Sequence, residues 1–161
     1  MKRLALFSLT VFVFACLSGP GCRVQTGPED APLRTVAGKV GVGPEWVEID
    51  PVPPLEATSR FQFIGLRIPD VAGTADDRRE TIRLRDGSQL RIDLEIVGTD
   101  GNVTRLYPNG FAERVEFGKR TENRTRPEEA EFRVGSKFSK IRLRSDKVIE
   151  IQEVVWMESG F

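Results

Sequence analysis

The sequence contains no histidine. That one absence excludes every Ser-His-Asp and Cys-His catalytic system, and the imidazole ligands of zinc and copper sites. Cysteine is confined to Cys16 and Cys22, so thiolate metal centres and a disulfide framework are excluded from everything that follows. An excess of either charge is also missing, with 24 basic residues against 24 acidic ones. Nucleic-acid binders carry a basic surplus, so nucleic acid is not an expected partner. The apolar run from Leu4 to Phe14, broken by Ser8 and Thr10, is too short to cross a bilayer as a helix.

What the N-terminus does hold is an order. Lys2 and Arg3 precede the apolar run, and the small residues Ala15, Ser18, Gly19 and Gly21 follow it. This is the layout of an export signal. The stretch Val13-Phe14-Ala15-Cys16 resembles a bacterial lipoprotein signal, in which cleavage falls directly before the cysteine that receives lipid. The resemblance implies a signal peptide over 1–15 and lipidation at Cys16, with Cys22 after Gly19-Pro20-Gly21 as the alternative. An ordinary secretory signal that leaves the cysteine unmodified is the competing reading. Several acyl chains on one cysteine exceed the two signals needed for stable anchoring, so the membrane is an expected partner. The residue after the cysteine is Leu17 (or Arg23), not the aspartate associated with inner-membrane retention. By resemblance, the expected location is the outer membrane of the cell envelope, facing the periplasm or the exterior. Without Lys2 and Arg3, 22 of the 24 basic residues remain against 24 acidic ones, a net charge of −2.

Residues 16–36 are rich in Gly, Pro, Ser, Thr and charge without apolar periodicity, and read as a tether of about 20–30 Å. Residues 37–161 have the size of one domain. Within them the hydrophobic period is two. Leu90, Ile92, Leu94 and Ile96 alternate with Arg91, Asp93 and Glu95, which predicts a strand with one buried and one solvated face. Ile92 is thus expected inside and Asp93 outside, where truncation of the aspartate should cost at most about 0.5 kcal/mol. Asp86-Gly87 and Thr99-Asp100-Gly101-Asn102 supply hairpin turns. Arg60 to Phe63 and Ile64 to Ile68 alternate in opposite phases, predicting a bulge beside Gly65. Further strands are expected at Val103–Tyr107, Val115–Phe117, Phe132–Val134 and Ile141–Leu143, with a last one from Val148 to Met157. In that last strand, two apolar parities predict a bulge or twist near Gln152-Glu153. Short strands at regular intervals, with Gly, Pro and Asp at the breaks, predict an all-β antiparallel β-sandwich. The closing stretch FSKIRLRSDKVIEIQEVVW resembles the last strands of galactose-binding-like jelly rolls, which implies that fold and, more loosely, a carbohydrate-binding role.

Candidate ligand residues are Tyr107 and Phe111 of YPNGF, and Trp46, because aromatic rings stack on sugar faces. The plainer reading of YPNGF is a Pro-Asn-Gly turn capped by two rings. Asp70, Asp76 and Asp77 could offer oxygen ligands to a structural Ca²⁺. Arg78 and Arg79 compensate that charge, so an ion-paired loop is favoured and no cofactor is expected. The loop Gly118 to Glu129 holds Lys119, Arg120, Arg124 and Arg126, and could meet an anionic surface such as lipid head groups or acidic polysaccharide, but its glutamates dilute it and a solvated loop is the default reading. The carboxylates mostly alternate with apolar residues, as a solvent face requires, and no pair announces a glycosidase. The sequence therefore predicts an envelope-anchored, non-catalytic binding domain with a glycan or an envelope protein as partner. A small carboxylate-dependent hydrolase is the remoter alternative.

Overall fold

The computed structural model describes residues 33–75, 80–111, 113–120 and 131–158. It is an all-β antiparallel sandwich, consistent with a jelly roll. The first strands are β1 (Leu33–Ala37), β2 (Val40–Val42), β3 (Val47–Ile49) and β4 (Leu55–Glu56). The middle of the chain forms β5 (Gln62–Arg67), β6 (Val71–Ala75), β7 (Thr81–Leu84), β8 (Gln89–Gly98), β9 (Val103–Phe111) and β10 (Val115–Gly118). The last are β11 (Lys137–Ser145), β12 (Ile149–Ile151) and β13 (Glu153–Glu158). The main sheet runs β1-β13-β5-β10-β9-β8-β11-β3, with β4 added to β11, β7 to β8 and β6 to β7. β2 and β12 form a separate pair.

Strand β9 makes the two layers continuous. Its first half, Val103 to Leu106, pairs with β8, and its second half, Tyr107 to Phe111, pairs with β10. The sheet thus bends around one core in which Ile64, Leu66, Leu94, Ile96, Leu106, Val115, Phe117, Ile141 and Leu143 are closed to solvent. At the far seam the Trp156 indole Nε1 donates to the Glu56 carbonyl at 3.1 Å. That bond ties β13 to β4 and leaves the wrapped sheet nearly closed, which protects edges that would otherwise invite pairing with another chain.

The alternation in β8 holds throughout: Leu90, Ile92, Leu94 and Ile96 are at most 3% exposed, and their neighbours face outward. Both hairpin turns form as expected, with Gly87 at φ 83° and Gly101 at φ 84°, a conformation that glycine adopts without steric cost. The closing segment breaks at Gln152. β12 pairs with β2, whereas β13 crosses to β5 and β1, so one apolar run serves two sheets and changes its buried parity.

Strand β1 spans Leu33–Ala37, so described strand structure includes four residues ahead of Ala37. Three expectations are corrected. No bulge occurs at Gly65, where β5 keeps regular register with both β10 and β13. Gln62, Ile64 and Leu66 all point inward and Phe61 is 52% exposed. Gly65 is instead a site of close approach, since a Cβ there would lie 2.7 Å from Val155 Cγ2. Phe132 and Val134 do not form a strand. Phe132 enters the core from a loop, stacking edge-on against Phe138 and Trp156, while Val134 is exposed beside a turn with Gly135 at φ 85°. Finally, Val148 lies before β12, 86% exposed.

Candidate functional site

The outward faces of β3, β11, β8 and β9 form a platform of charge. Register places Glu48 opposite Arg142, Arg142 opposite Glu95, and Glu95 opposite Arg105. Opposite charges facing across strands stabilise the pairing. Arg142 Nη1 donates to Glu95 Oε2 at 3.0 Å, and its Nε lies 3.5 Å from Glu48 Oε1. Lys140 also donates to Glu48.

The neighbouring row centres on Asp93, which register places opposite Arg144. Three guanidinium groups converge on this one carboxylate. Arg144 Nε donates to Oδ2 at 2.9 Å, Arg105 Nη2 to Oδ1 at 3.0 Å, and Arg91 Nε to Oδ1 at 3.3 Å. Burial alone would push the Asp93 carboxyl up. The Arg144 hydrogen bond and the charges of Arg91, Arg105 and Arg144 outweigh it and hold the carboxyl below the usual range. The expectation that Asp93 is a dispensable solvent-face residue is therefore corrected: its side chain is only 14% exposed and organises its neighbours.

Trp46 and Tyr107, both chosen from the sequence, are engaged by three of these arginines and by Arg120. The guanidinium carbons of Arg142 and Arg144 lie 4.6 and 4.7 Å from the Trp46 ring centre. Those of Arg105 and Arg120 lie 5.1 and 5.9 Å from the Tyr107 ring centre. Such contacts fix the guanidinium planes. Trp46 precedes β3 and Tyr107 belongs to β9, three strand spacings apart or about 14 Å, so the rings flank the arginine cluster and do not stack together.

Beside Asp93, a groove of about 310 Å³ is lined by Pro44, Arg91, Asp93, Arg144, Ser145 and Asp146. Asp146 Oδ1 accepts the Arg91 backbone N–H at 2.9 Å, and Asp146 N donates to the Arg91 carbonyl at 3.1 Å, which pins the groove wall. Arg91 and Arg144 both hold Asp93 through Nε. Among the described residues, their terminal amino groups make no further hydrogen bond or ion pair. The groove therefore offers two sets of N–H donors, fixed in direction, and the second oxygen of Asp146 as an acceptor. A ligand that fits presents a carboxylate to the arginines and a hydroxyl to Asp146.

YPNGF is not a turn. Tyr107 to Phe111 continue β9 and pair with β10, with a register shift that leaves Asn109 unopposed between Pro108 and Gly110. A bulge tolerates the missing proline N–H that a regular ladder would not. It also opens a smaller recess of about 190 Å³ lined by Tyr107, Pro108, Asn109, Gly118, Lys119 and Arg120. Lys119 Nζ donates to the Glu131 carbonyl at 2.7 Å. Phe111 ends β9. Asp70 lies in an exposed turn at φ 58°, its carbonyl accepting Arg85 N at 2.7 Å. Asp76, Asp77, Arg124, Arg126, Cys16 and Cys22 lie outside the described residues. Among the described residues, no group of three or more acidic side chains is gathered for a metal ion.

The residues missed by sequence reasoning are Arg91, Arg105, Arg144 and Asp93. Their convergence depends on β8 lying between β9 and β11, a long-range fact that alternation along one strand does not carry. Neither a protein-family model, nor a curated protein, nor a solved structure matches the chain.

Proposed function

We propose that this chain is an envelope lipoprotein whose β-sandwich is a non-catalytic binding domain for an acidic carbohydrate. The observation that carries the ligand class is the Asp93 hub, which holds Arg91 and Arg144 through Nε where both line the groove. Guanidinium forks match carboxylate geometry, sugar hydroxyls supply the donor for Asp146, Trp46 stiffens Arg144, and Tyr107 stiffens Arg105, the third arginine on Asp93. The anchor part of the reading rests on the order of charge, apolar run and small residues ending at Cys16.

Two experiments test it. Intact-mass measurement of the membrane fraction should find acyl additions on a chain beginning at Cys16; an unmodified soluble chain refutes the anchor. A glycan array should give signal on uronate-bearing and other carboxylated oligosaccharides over their neutral counterparts. Equal or no signal on both refutes the ligand class. One observation favours a protein partner instead: among the described residues, β6 has a strand partner on one edge alone, β7. Capture of one envelope protein, abolished by proline in β6 and unaffected at Arg144, would establish that alternative.

A further inference from the structure

A second cleft, of about 370 Å³, lies at the seam where β1 and β13 meet the β3–β4 connection. Its walls are apolar, made by Leu33, Pro53, Pro54 and Trp156, and its polar groups include Gln62, Glu56 and Glu158. Gln62 is 2% exposed, and its Oε1 is buried without a hydrogen-bond partner. The orientation of that amide is fixed by its neighbours. Thr58 Oγ1 donates to Glu158 Oε2 at 3.2 Å, and Ser59 Oγ donates to the Phe61 carbonyl at 3.1 Å. Each hydroxyl has one hydrogen, so toward Gln62 both can only accept. Gln62 Nε2 accordingly sits 2.9 Å from Thr58 Oγ1 and 3.3 Å from Ser59 Oγ. Oε1 is left as an acceptor with no donor, a state rare among buried polar atoms.

Two other donor groups beside the cleft already have partners. Trp156 Nε1 is held by the Glu56 carbonyl, and the two terminal nitrogens of Arg34 by the Pro53 and Pro54 carbonyls. Gln62 Oε1 has no partner, and each nearby carboxylate has one oxygen engaged, Glu56 Oε2 paired with Lys137 Nζ at 3.7 Å and Glu158 Oε2 taking the Thr58 hydroxyl, which leaves the other oxygen of each as an acceptor. A buried amide oxygen without a donor, two further carboxylate oxygens and apolar walls fit a group with several N–H donors on an apolar stem.

We propose that this cleft binds a primary ammonium group carried on an aliphatic chain, with the ammonium among Gln62 Oε1, Glu56 and Glu158 and the stem against Leu33, Pro53 and Pro54. A lysyl side chain and a free diamine share this chemistry. It is a site separate from the arginine groove and independent of the carbohydrate reading.

The test is titration of the full chain, followed by its backbone and indole N–H resonances. The probes are Nα-acetyl-lysine methylamide, cadaverine, and Nα-acetyl-norleucine methylamide as the neutral stem. Saturable shifts at Gln62, Thr58 and the Trp156 indole are expected with the ammonium probes, about tenfold weaker with the norleucine probe. Gln62→Leu and Glu158→Gln should each weaken binding about tenfold. Tighter binding of the lysine amide than of cadaverine identifies a lysyl side chain as the source, and the reverse order a free diamine. Equal binding of lysine and norleucine probes, shifts with a neutral sugar only, or no saturable shift in the unaltered chain overturns the proposal. None of these outcomes depends on a variant folding.

Discussion

Replacing Asp93 by alanine removes one carboxylate and strands three guanidinium groups. The partners Arg91, Arg105 and Arg144 are 51, 40 and 45% exposed, against 14% for Asp93. Exposure on the arginine side discounts each pair to about 0.5–1 kcal/mol. Three pairs give about 1.5–3 kcal/mol, and mutual repulsion of the remaining charges keeps the loss toward the upper end, because of the three only Arg105 retains another carboxylate, Glu80 at 3.2 Å. The neighbouring truncation, Ile92→Ala, removes a side chain 3% exposed and should cost about 2–4 kcal/mol. Urea denaturation of both variants, read as midpoint shifts at constant slope, should therefore find comparable losses at low salt. Their salt dependence separates the causes. At 1 M salt the Debye length falls to about 3 Å, so the Asp93→Ala loss should shrink while the Ile92→Ala loss persists. A lowered carboxyl pKa also fixes the sign with pH. The Asp93 contribution is complete above about pH 4 and disappears as pH falls through the depressed folded value, a slope that Asp93→Asn should flatten. An Asp93→Ala loss below about 0.5 kcal/mol at low salt, or one indifferent to salt, refutes the hub.

Other outcomes follow from close contacts and unpaired groups. A Cβ on Gly118 would lie 2.7 Å from the Phe63 ring, so Gly118→Ala should cost about 1–3 kcal/mol in urea denaturation, partly recovered when Phe63→Ala is added. Trp156→Phe leaves the Glu56 carbonyl without its indole donor and should lower stability by about 1–3 kcal/mol. Glu116 is half-buried and burial pushes its carboxyl pKa up. A raised folded value means that stability falls as pH rises from about 4 through that value. Glu116→Gln should remove this slope and raise the thermal midpoint at pH 7.

Strand β8 was legible because one of its faces is core and the other is solvated, so its residues had to alternate. The turns at Asp86-Gly87 and Gly101 were legible because positive φ restricts residue choice. Strand β5 was not, since Phe61 and Phe63 mimic core residues while facing outward, and the inward parity begins with a glutamine. YPNGF misled for a related reason: proline, asparagine and glycine suit a turn and a bulge alike, and only the partner strand β10 decides between them. Of the site, Trp46 and Tyr107 could be picked by type, but the arginines that engage them could not. A charged residue on a solvated face looks the same whether it stands alone or meets one partner from its own strand and two from adjacent ones.

The central claim is that Asp93 holds Arg91 and Arg144 ready for a carboxylated glycan. Its most direct measurement is the affinity of one uronate oligosaccharide, by calorimetry, for the unaltered chain and for Arg91→Gln/Arg144→Gln, with Lys137→Gln as a charge control away from the groove. Binding that falls at least tenfold in the double variant and stays unchanged in the control, with the neutral sugar inert throughout, is the predicted result. Equal affinity in the unaltered chain and the double variant, or a loss matched by the control, would contradict it.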